Sequence, residues 1–340
     1  MRVAVIILNW NGRKYLEQFL PALIRFSQED AEIIVADNAS TDDSVAFLRS
    51  RYPSIRIISN PKNGGFASGY NQALHQVDAD YYVLLNSDIE VTENWIPPVI
   101  ALMEKDDQVA ACQPKVRSYY EPKKFEYAGA AGGFLDQYGY PFCRGRLFQA
   151  IEEDHGQYDD VCEIFWATGA CMFVRANVFR ELGGFDDDFF AHMEEIDFCW
   201  RLKNHGYRVM YCPDSTVFHI GGGTLPKASY QKTYLNFRNN FFLLYKNLPS
   251  DRLLRVFAVR YLLDTIAAFK FLFQAGFRDF WAVTRAHMSF YRLFGKIKQK
   301  RKALQQGSMK DMYRGNIVLE YYLLGRRKYT QLNSSRFFSK

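Results

Sequence analysis

An apolar run, Tyr81-Tyr82-Val83-Leu84-Leu85, leads straight into Asn86-Ser87-Asp88, so a carboxylate arrives where a buried strand would end. In open α/β sheets ligands bind outside the carboxyl ends of the strands, and Asp88 there reads as a candidate for handling a metal or a phosphate. Mg²⁺ or Mn²⁺ needs only one or two protein ligands when substrate phosphates complete its shell. Taken alone, a Ser-Asp pair at a strand end is more often a helix cap than a ligand; its company changes that reading. Three further clusters share this placement. Asp37, in Val35-Ala36-Asp37-Asn38, can accept hydrogen bonds from a nucleobase N–H or a ribose hydroxyl, or close an Asx turn. Asn63-Gly64-Gly65 sets small residues at a helix N-terminus, where free backbone N–H groups favour an anion such as diphosphate. It matches neither GxGxxG nor GxxxxGK[ST], which disfavours a nicotinamide-binding fold or a P-loop. Glu194, Glu195 and Asp197 open a helix whose adjacent positions lie about 100° apart, so one carboxylate can face a cleft while another anchors the helix. His219 closes an apolar strand before Gly221-Gly222-Gly223, at the rim of a flexible loop, as a structural imidazole or a ligand.

The elements that would position these groups alternate. Strands are expected at 3–8, 32–36, 55–58 and 81–85, with helices between them at 14–26, at 42–51 behind a Ser40-Thr41 N-cap, and from Asn63 through Leu74. Three α/β crossovers in succession predict a mostly parallel sheet. A strand at 109–113 follows, then a Gly-, Tyr- and acid-rich stretch, 117–165, without periodicity, expected as a loop or insertion over the active face. A strand at 170–174, short helix at 176–182, a turn at GGFDDDFF, a helix near 193–205 and strands near 208–212 and 216–219 complete the pattern. From about Tyr230 onward the chain reads as helical, basic and aromatic.

In order, VAVIILNWNG, VADNASTD, NGGFASGYN, LLNSDIEV, WATGACMFVRANVFRELGGFDDDFF, EEIDFCWR and VFHIGGGT resemble the family 2 glycosyltransferases, in their bacterial rhamnosyltransferase-like branch, over roughly residues 1–226. The resemblance implies a GT-A fold, a Rossmann-like mixed α/β sheet, and inverting transfer of a sugar from a nucleotide-diphosphate sugar. It implies that Asp37 recognises the base with Asn9 beside it, and that Asn63, Gly64, Asn86, Ser87 and Asp88 line the donor. Asp88 takes the last position of the family's DxD motif, with Asn86 in place of the first acid, and His219 matches the late His that helps hold Mg²⁺ or Mn²⁺. Glu195, or its neighbour Glu194, falls at the catalytic base, where the family usually has the Asp of an ED pair. Trp166, Gly169 and Asp197 fall on the acceptor side.

Composition divides the chain. Residues 1–226 hold 20 Lys/Arg against 32 Asp/Glu, and residues 227–340 hold 23 against 5, within a formal net charge of +6. The division predicts a catalytic domain at 1–226 and a basic, amphipathic helical region at 227–340. Along 252–278, Arg252, Arg255, Arg260, Asp264, Lys270, Gln274 and Arg278 gather on about half a helical wheel. That face and KIKQKRK, 296–302, suit a peripheral contact with anionic lipid; packing on the catalytic domain, or a homo-oligomer, is the alternative. The basic residues form no nucleic-acid-binding module. Six cysteines without a CxxC pair, no signal peptide and no apolar stretch near the roughly 18 residues of a bilayer span point to a cytoplasmic protein at the inner face of the membrane. The expected activity is metal-assisted transfer, with dTDP-rhamnose as a donor, to a glycan or polyprenyl-linked acceptor in surface polysaccharide biosynthesis. A catalytically silent sugar-nucleotide-binding or membrane scaffold protein is the competing reading.

Overall fold

The first buried strand, Val3–Asn9 (β1), points Val3, Val5 and Ile7 into one apolar layer and Ala4 and Ile6 into another. That two-fold alternation with both faces apolar is what a central strand of a covered sheet requires. The computed structural model describes residues 1–221 and 229–338. Helix α1 (Arg13–Ser27), β2 (Glu32–Asp37), α2 (Ser44–Arg51), β3 (Arg56–Ser59), α3 (Gly65–Leu74) and β4 (Tyr81–Asn86) follow as the alternation predicts. After a short β5 (Ile89–Val91) come α4 (Pro97–Glu104), β6 (Val109–Ser118), β7 (Gly133–Leu135), β8 (Pro141–Cys143), β9 (Arg146–Leu147), β10 (Ala150–Ile151), β11 (Cys162–Ile164) and β12 (Cys171–Arg175). Helices α5 (Ala176–Glu181) and α6 (Glu194–Asn204) lead to β13 (Arg208–His219), and α7 (Tyr230–Asn247), α8 (Ser250–Gln274), α9 (Phe277–Ala303) and α10 (Ile317–Tyr322) close the chain.

The main sheet runs β11-β13-β6-β12-β4-β1-β2-β3, with β5 paired to β13. Strands β3, β2, β1 and β4 are parallel, and β12 enters antiparallel beside β4. Because the chain steps outward from β1 through β2 to β3 and then returns to β1's other side, the order reverses between β1 and β4. A crevice opens there at the carboxyl ends of the strands, the switch point where ligands bind in such sheets. Asn9 pairs in register with Asp37, and Leu8 with Asn86, so the candidate donor groups stand in one row along this edge.

Two expectations change. The stretch 117–165 is not a structureless loop: it contains a four-stranded antiparallel sheet, β10-β9-β8-β7, and β11 of the main sheet. Its strands are two or three residues long, too short for alternation to show in sequence. The two strands expected near 208–212 and 216–219 are one, β13, whose pairing with β6 slips between Cys212 and Thr216. The boundary expected after residue 226, and Gly222 and Gly223, lie outside the described residues.

The C-terminal helices share a core with the main sheet: Phe241, Phe242, Phe290, Tyr313 and Ile317 belong to the same buried cluster as Ile6, Tyr82 and Phe134. On α8 two members of the expected charged half-wheel, Arg260 and Asp264, are turned inward, while Arg255, Lys270 and Gln274 stay exposed. Arg260 is 2% and Asp264 0% exposed, and Arg260 binds Asp264 and the carbonyl of Tyr138 while Tyr140 donates to Asp264. His287 of α9 lies 3.2 Å from the same carboxylate. The stripe facing outward is Leu262, Ile266, Phe269 and Phe273. Breaking a buried ion pair by removing one partner costs about 3–5 kcal/mol, against about 0.5 kcal/mol for a solvated surface charge. Asp264→Leu is therefore expected to lower the unfolding free energy by about 3–5 kcal/mol in urea titration.

Candidate active site

At the carboxyl end of β1, the side-chain amide of Asn9, 0% exposed, donates to Asp37 Oδ1 at 3.3 Å and to Ser40 Oγ at 3.1 Å. The N–H of Ser40, three residues on, donates to Asp37 Oδ2 at 3.1 Å, which fixes the carboxylate at the end of β2. Ser40 and Thr41 do not cap α2, as expected, but bind Asn11: the N–H of Asn11 donates to Ser40 Oγ and the N–H of Thr41 to Asn11 Oδ1. A side chain on Gly12 would meet Asn9 Oδ1 at 2.3 Å and Ser87 Oγ at 3.2 Å, which shows how closely the ends of β1 and β4 approach.

Asp88 sits where β5 begins to pair with β13, and its carbonyl accepts from Ile220. This register brings His219 Nε2 to 3.2 Å from Asp88 Oδ1, across 131 residues of sequence. On the other ring nitrogen, Glu126 Oε2 lies 3.3 Å away. Burial alone would lower the imidazole's pKa, but the charges of Glu126 and Asp88 outweigh it and push it up to about 10. Burial opposes ionisation of Glu126 as well, yet His219 beside it holds its carboxyl below the usual range. Glu126 was not among the expected site residues, since it lies in the stretch where no periodicity marks a face.

Carboxylate and imidazole are suitable donors for Mg²⁺ or Mn²⁺. Among the described residues no group of three or more His, Cys, Asp and Glu is arranged to hold a metal ion, so a cation here would rest on Asp88 and His219 with substrate oxygens.

The acidic pair at the start of α6 is presented by an unusual turn. Phe190, His192 and Met193 have φ of 65°, 70° and 72°, the left-handed region that bulky residues rarely enter. Glu194 is 3% exposed and Glu195 half-buried, and Oε2 of each has no hydrogen-bond partner among the described residues. Burial, with the neighbouring Glu195 charge, raises Glu194 well above the carboxylate range; burial pushes Glu195 up to about 7. The two carboxyls titrate together, both held above the usual carboxylate range by burial, and Glu195 is the less buried of them.

Four of the expected contact groups have protein partners among the described residues. The N-terminus of α3, expected to cradle a diphosphate through Asn63 and Gly64, is taken by protein: Phe66 and Ala67 donate to the carbonyl of Phe190 at 2.6 and 3.3 Å, and Asn63 Oδ1 accepts from Gly65 and Asn38. A Cβ on Gly65, at φ +79°, would stand 2.3 Å from that carbonyl. Trp166 is 4% exposed, donates its indole N–H to Phe134 and covers Gly133. Gly169 serves the packing of Phe66, whose ring would meet a Cβ there at 2.8 Å. Asp197 is 0% exposed and binds Arg201, Lys246 and Asn247, leaving no oxygen for an acceptor.

The sequence profile described as Glycosyl transferase family 2 matches residues 4–183, more than half of the chain. An N-acetylglucosaminyl-diphospho-decaprenol L-rhamnosyltransferase of Mycobacterium tuberculosis (strain CDC 1551 / Oshkosh) is 25% identical over 230 residues, covering 63% of this chain and 75% of that protein. Rhamnosyltransferase WbbL of Escherichia coli (strain K12) is 26% identical over 229 residues, covering 64% and 83%. Among solved structures, GalNAc-T7 with UDP, GalNAc and Mn²⁺ superposes with a TM-score of 0.57 at 15% identity, covering 74% of this chain and 48% of that one, so this chain spans about half its length. The mannosyltransferase PcManGT of Pyrobaculum calidifontis, in complex with GDP-Man and Mn²⁺, gives 0.52 at 16% identity, covering 86% and 75%. Identities this low speak to the fold alone.

Because Asp197 anchors α6, Asp197→Ala is expected to lower stability by about 3–5 kcal/mol by stranding Lys246 and Arg201. Urea denaturation measures this; a raised acceptor KM at unchanged stability would return Asp197 to the acceptor side.

Proposed function

The chain belongs to glycosyl transferase family 2 and is a glycosyltransferase of GT-A fold with rhamnosyltransferase relatives, and on that premise we propose that it transfers rhamnose from dTDP-rhamnose, with inversion, to a hydroxyl of a polyprenyl-linked glycan in surface polysaccharide biosynthesis. The observation that carries this reading is Glu195: a carboxyl at a helix start, with an unpartnered oxygen and a pKa near neutrality. A general base works best with its pKa near the operating pH.

In the proposed reaction Glu195 takes the proton from the acceptor hydroxyl as that oxygen attacks C1 of the sugar, and the bond from C1 to the diphosphate oxygen breaks on the opposite side. No covalent enzyme intermediate is needed. Asp37 and Asn9 receive the base and ribose, and Asn86 and Ser87 border the sugar diphosphate. Asp88 and His219 would hold a divalent cation, whose chemistry there is to offset the charge gathering on the departing nucleoside diphosphate. Glu194, kept protonated, adds no second negative charge beside the base. Alignment of hydroxyl, C1 and leaving group is the larger contribution, up to roughly 7–11 kcal/mol in well-oriented systems.

A lipid-linked acceptor fits the outer face of the α8–α9 hairpin. Leu262, Ile266, Phe269 and Phe273 continue into Phe277, Trp281, Met288 and Tyr291, all exposed, and Arg278, Arg285 and Arg292 recur at heptad spacing beside them. No helix among the described residues is long and apolar enough to cross a membrane. An apolar stripe with a basic rim suits a peripheral site on an anionic leaflet, each exposed basic residue adding about 1 kcal/mol.

Three outcomes are expected. Asp88→Ala and Glu195→Ala each abolish nucleoside diphosphate release, and only Glu195→Ala keeps near-native donor affinity by calorimetry; near-normal turnover in Glu195→Ala removes it as the base. The free carboxylate is the active form, so kcat/KM falls as pH drops through about 7 and levels off above it. Vesicles containing anionic lipid co-sediment the protein, and Phe273→Asp with Trp281→Asp releases it; a dimer that those changes dissociate, with no vesicle binding, would make the face a subunit contact instead.

A further inference from the structure

The left-handed turn before Glu194 is gripped from the C-terminal region, and the grip is concentrated in two adjacent side chains of α7. The Asn239 amide nitrogen lies within hydrogen-bonding distance of three backbone carbonyls, those of Phe189 at 2.9 Å, Ala191 at 2.9 Å and His192 at 2.7 Å. Asn239 is 0% exposed, so water does not compete for those carbonyls. Its neighbour Arg238 reaches the carbonyls of Asp188 and Phe189 from Nη2, both at 2.9 Å, and its Nε donates to Asn239 Oδ1 at 2.9 Å. The amide is thus oriented by the guanidinium with its NH₂ toward the turn. From the opposite side the α3 N–H groups of Phe66 and Ala67 hold the carbonyl of Phe190. Four consecutive carbonyls, 189 to 192, are fixed between two helices distant in sequence.

Such a turn persists only where its surroundings over-determine it, because ordinary residues leave left-handed φ when released. The hydrogen bonds of Asn239 and Arg238 run to each other and to the backbone of residues 188–192, which leads into α6 and so aims the Glu195 carboxylate. We propose that Asn239, oriented by Arg238, is a positioning residue for the base: it holds the 189–193 turn in the conformation that sets Glu195 against the acceptor hydroxyl. The inference rests on the reading of Glu195 as the base and extends the catalytic machinery across the expected domain boundary into α7.

The test uses the full chain and steady-state kinetics with nucleoside diphosphate release as readout. Asn239→Leu keeps the volume and removes the donors. It is expected to lower kcat at least 100-fold, the scale of a 1 Å misplacement of a reacting group, while KM for the donor and nucleotide affinity stay within about twofold, as a change confined to the transition state requires. Arg238→Met is expected to lower kcat less, about tenfold, and Arg238→Lys to restore part of it, since a single ammonium reaches fewer carbonyls than the guanidinium fork. Asn240→Leu is the control: the next residue on α7 is 2% exposed and donates to Gly139, away from the turn, so it should cost melting temperature without lowering kcat. If Asn239→Leu does not fold, the Arg238 pair carries the test. Equal loss of kcat in Asn239→Leu and Asn240→Leu, or kcat unchanged in both Asn239→Leu and Arg238→Met, overturns the proposal. Failure of the underlying reading is separate: it shows as an active Glu195→Ala, whatever the α7 variants do.

Discussion

A turn that non-glycine residues do not adopt by themselves sits at the centre of this molecule, and much of the tertiary structure acts to hold it. Phe190, His192 and Met193 all have positive φ, each at an expense of order 1 kcal/mol or more. The turn is closed by α3 on one side and α7 on the other, and the helix it starts is pinned through Asp197 to Lys246 and Asn247. Farther along, Lys246 and Lys300 meet Asp186, and Lys296 and Lys300 meet Asp188. The unequal charge of the two halves is in good part complementary charge: acids of the 186–197 segment face bases of α7 and α9. The Lys246 pairs with Asp186 and Asp197 are buried; such pairs add little net stability over apolar contacts, but losing one partner is costly, which ties the two halves to one geometry.

The same economy appears at the sheet edge. Reversal of strand order between β1 and β4 opens the crevice, and the antiparallel pairing of β5 with β13 folds His219 back onto Asp88. With Glu126 on its other side, the imidazole lies between two carboxylates, an electronegative surrounding that favours positive charge at this position whether it comes as a proton or as a metal ion. Asn9 on β1 and Asp37 on β2 stand one and two strands from β4, the strand that leads into Asp88, so these groups share one edge of the sheet.

Helix α8 reverses the usual reading of an amphipathic helix. Its charged pair, Arg260 and Asp264, faces inward because Tyr138, Tyr140, Asn240 and His287 supply the partners that make burial tolerable. Its outward stripe is apolar and continues onto α9. A helical wheel records which residues share a face; it carries no information on which face finds partners.

What could be read from the chain alone follows from local periodicity and from groups set at strand ends. The βα alternation, the buried strands of residues 3–9, 32–37 and 81–86, and the edge positions of Asn9, Asp37 and Asp88 are consequences of short-range pattern, and the structure has them. Asn239 had a legible trace, since Asn239-Asn240 in the middle of an aromatic helix must find buried partners, but the partners themselves could not be named. Tertiary structure alone decided that Glu126 joins His219, that Trp166, Gly169 and Asp197 are interior, that the α3 terminus binds a carbonyl, and that α8 buries Arg260 and Asp264. Those outcomes depend on what a side chain or backbone group meets across 32 to 124 residues of chain. Hydrogen-bond satisfaction of buried groups is a property of the assembled fold, and the spacing of residues along one segment does not contain it.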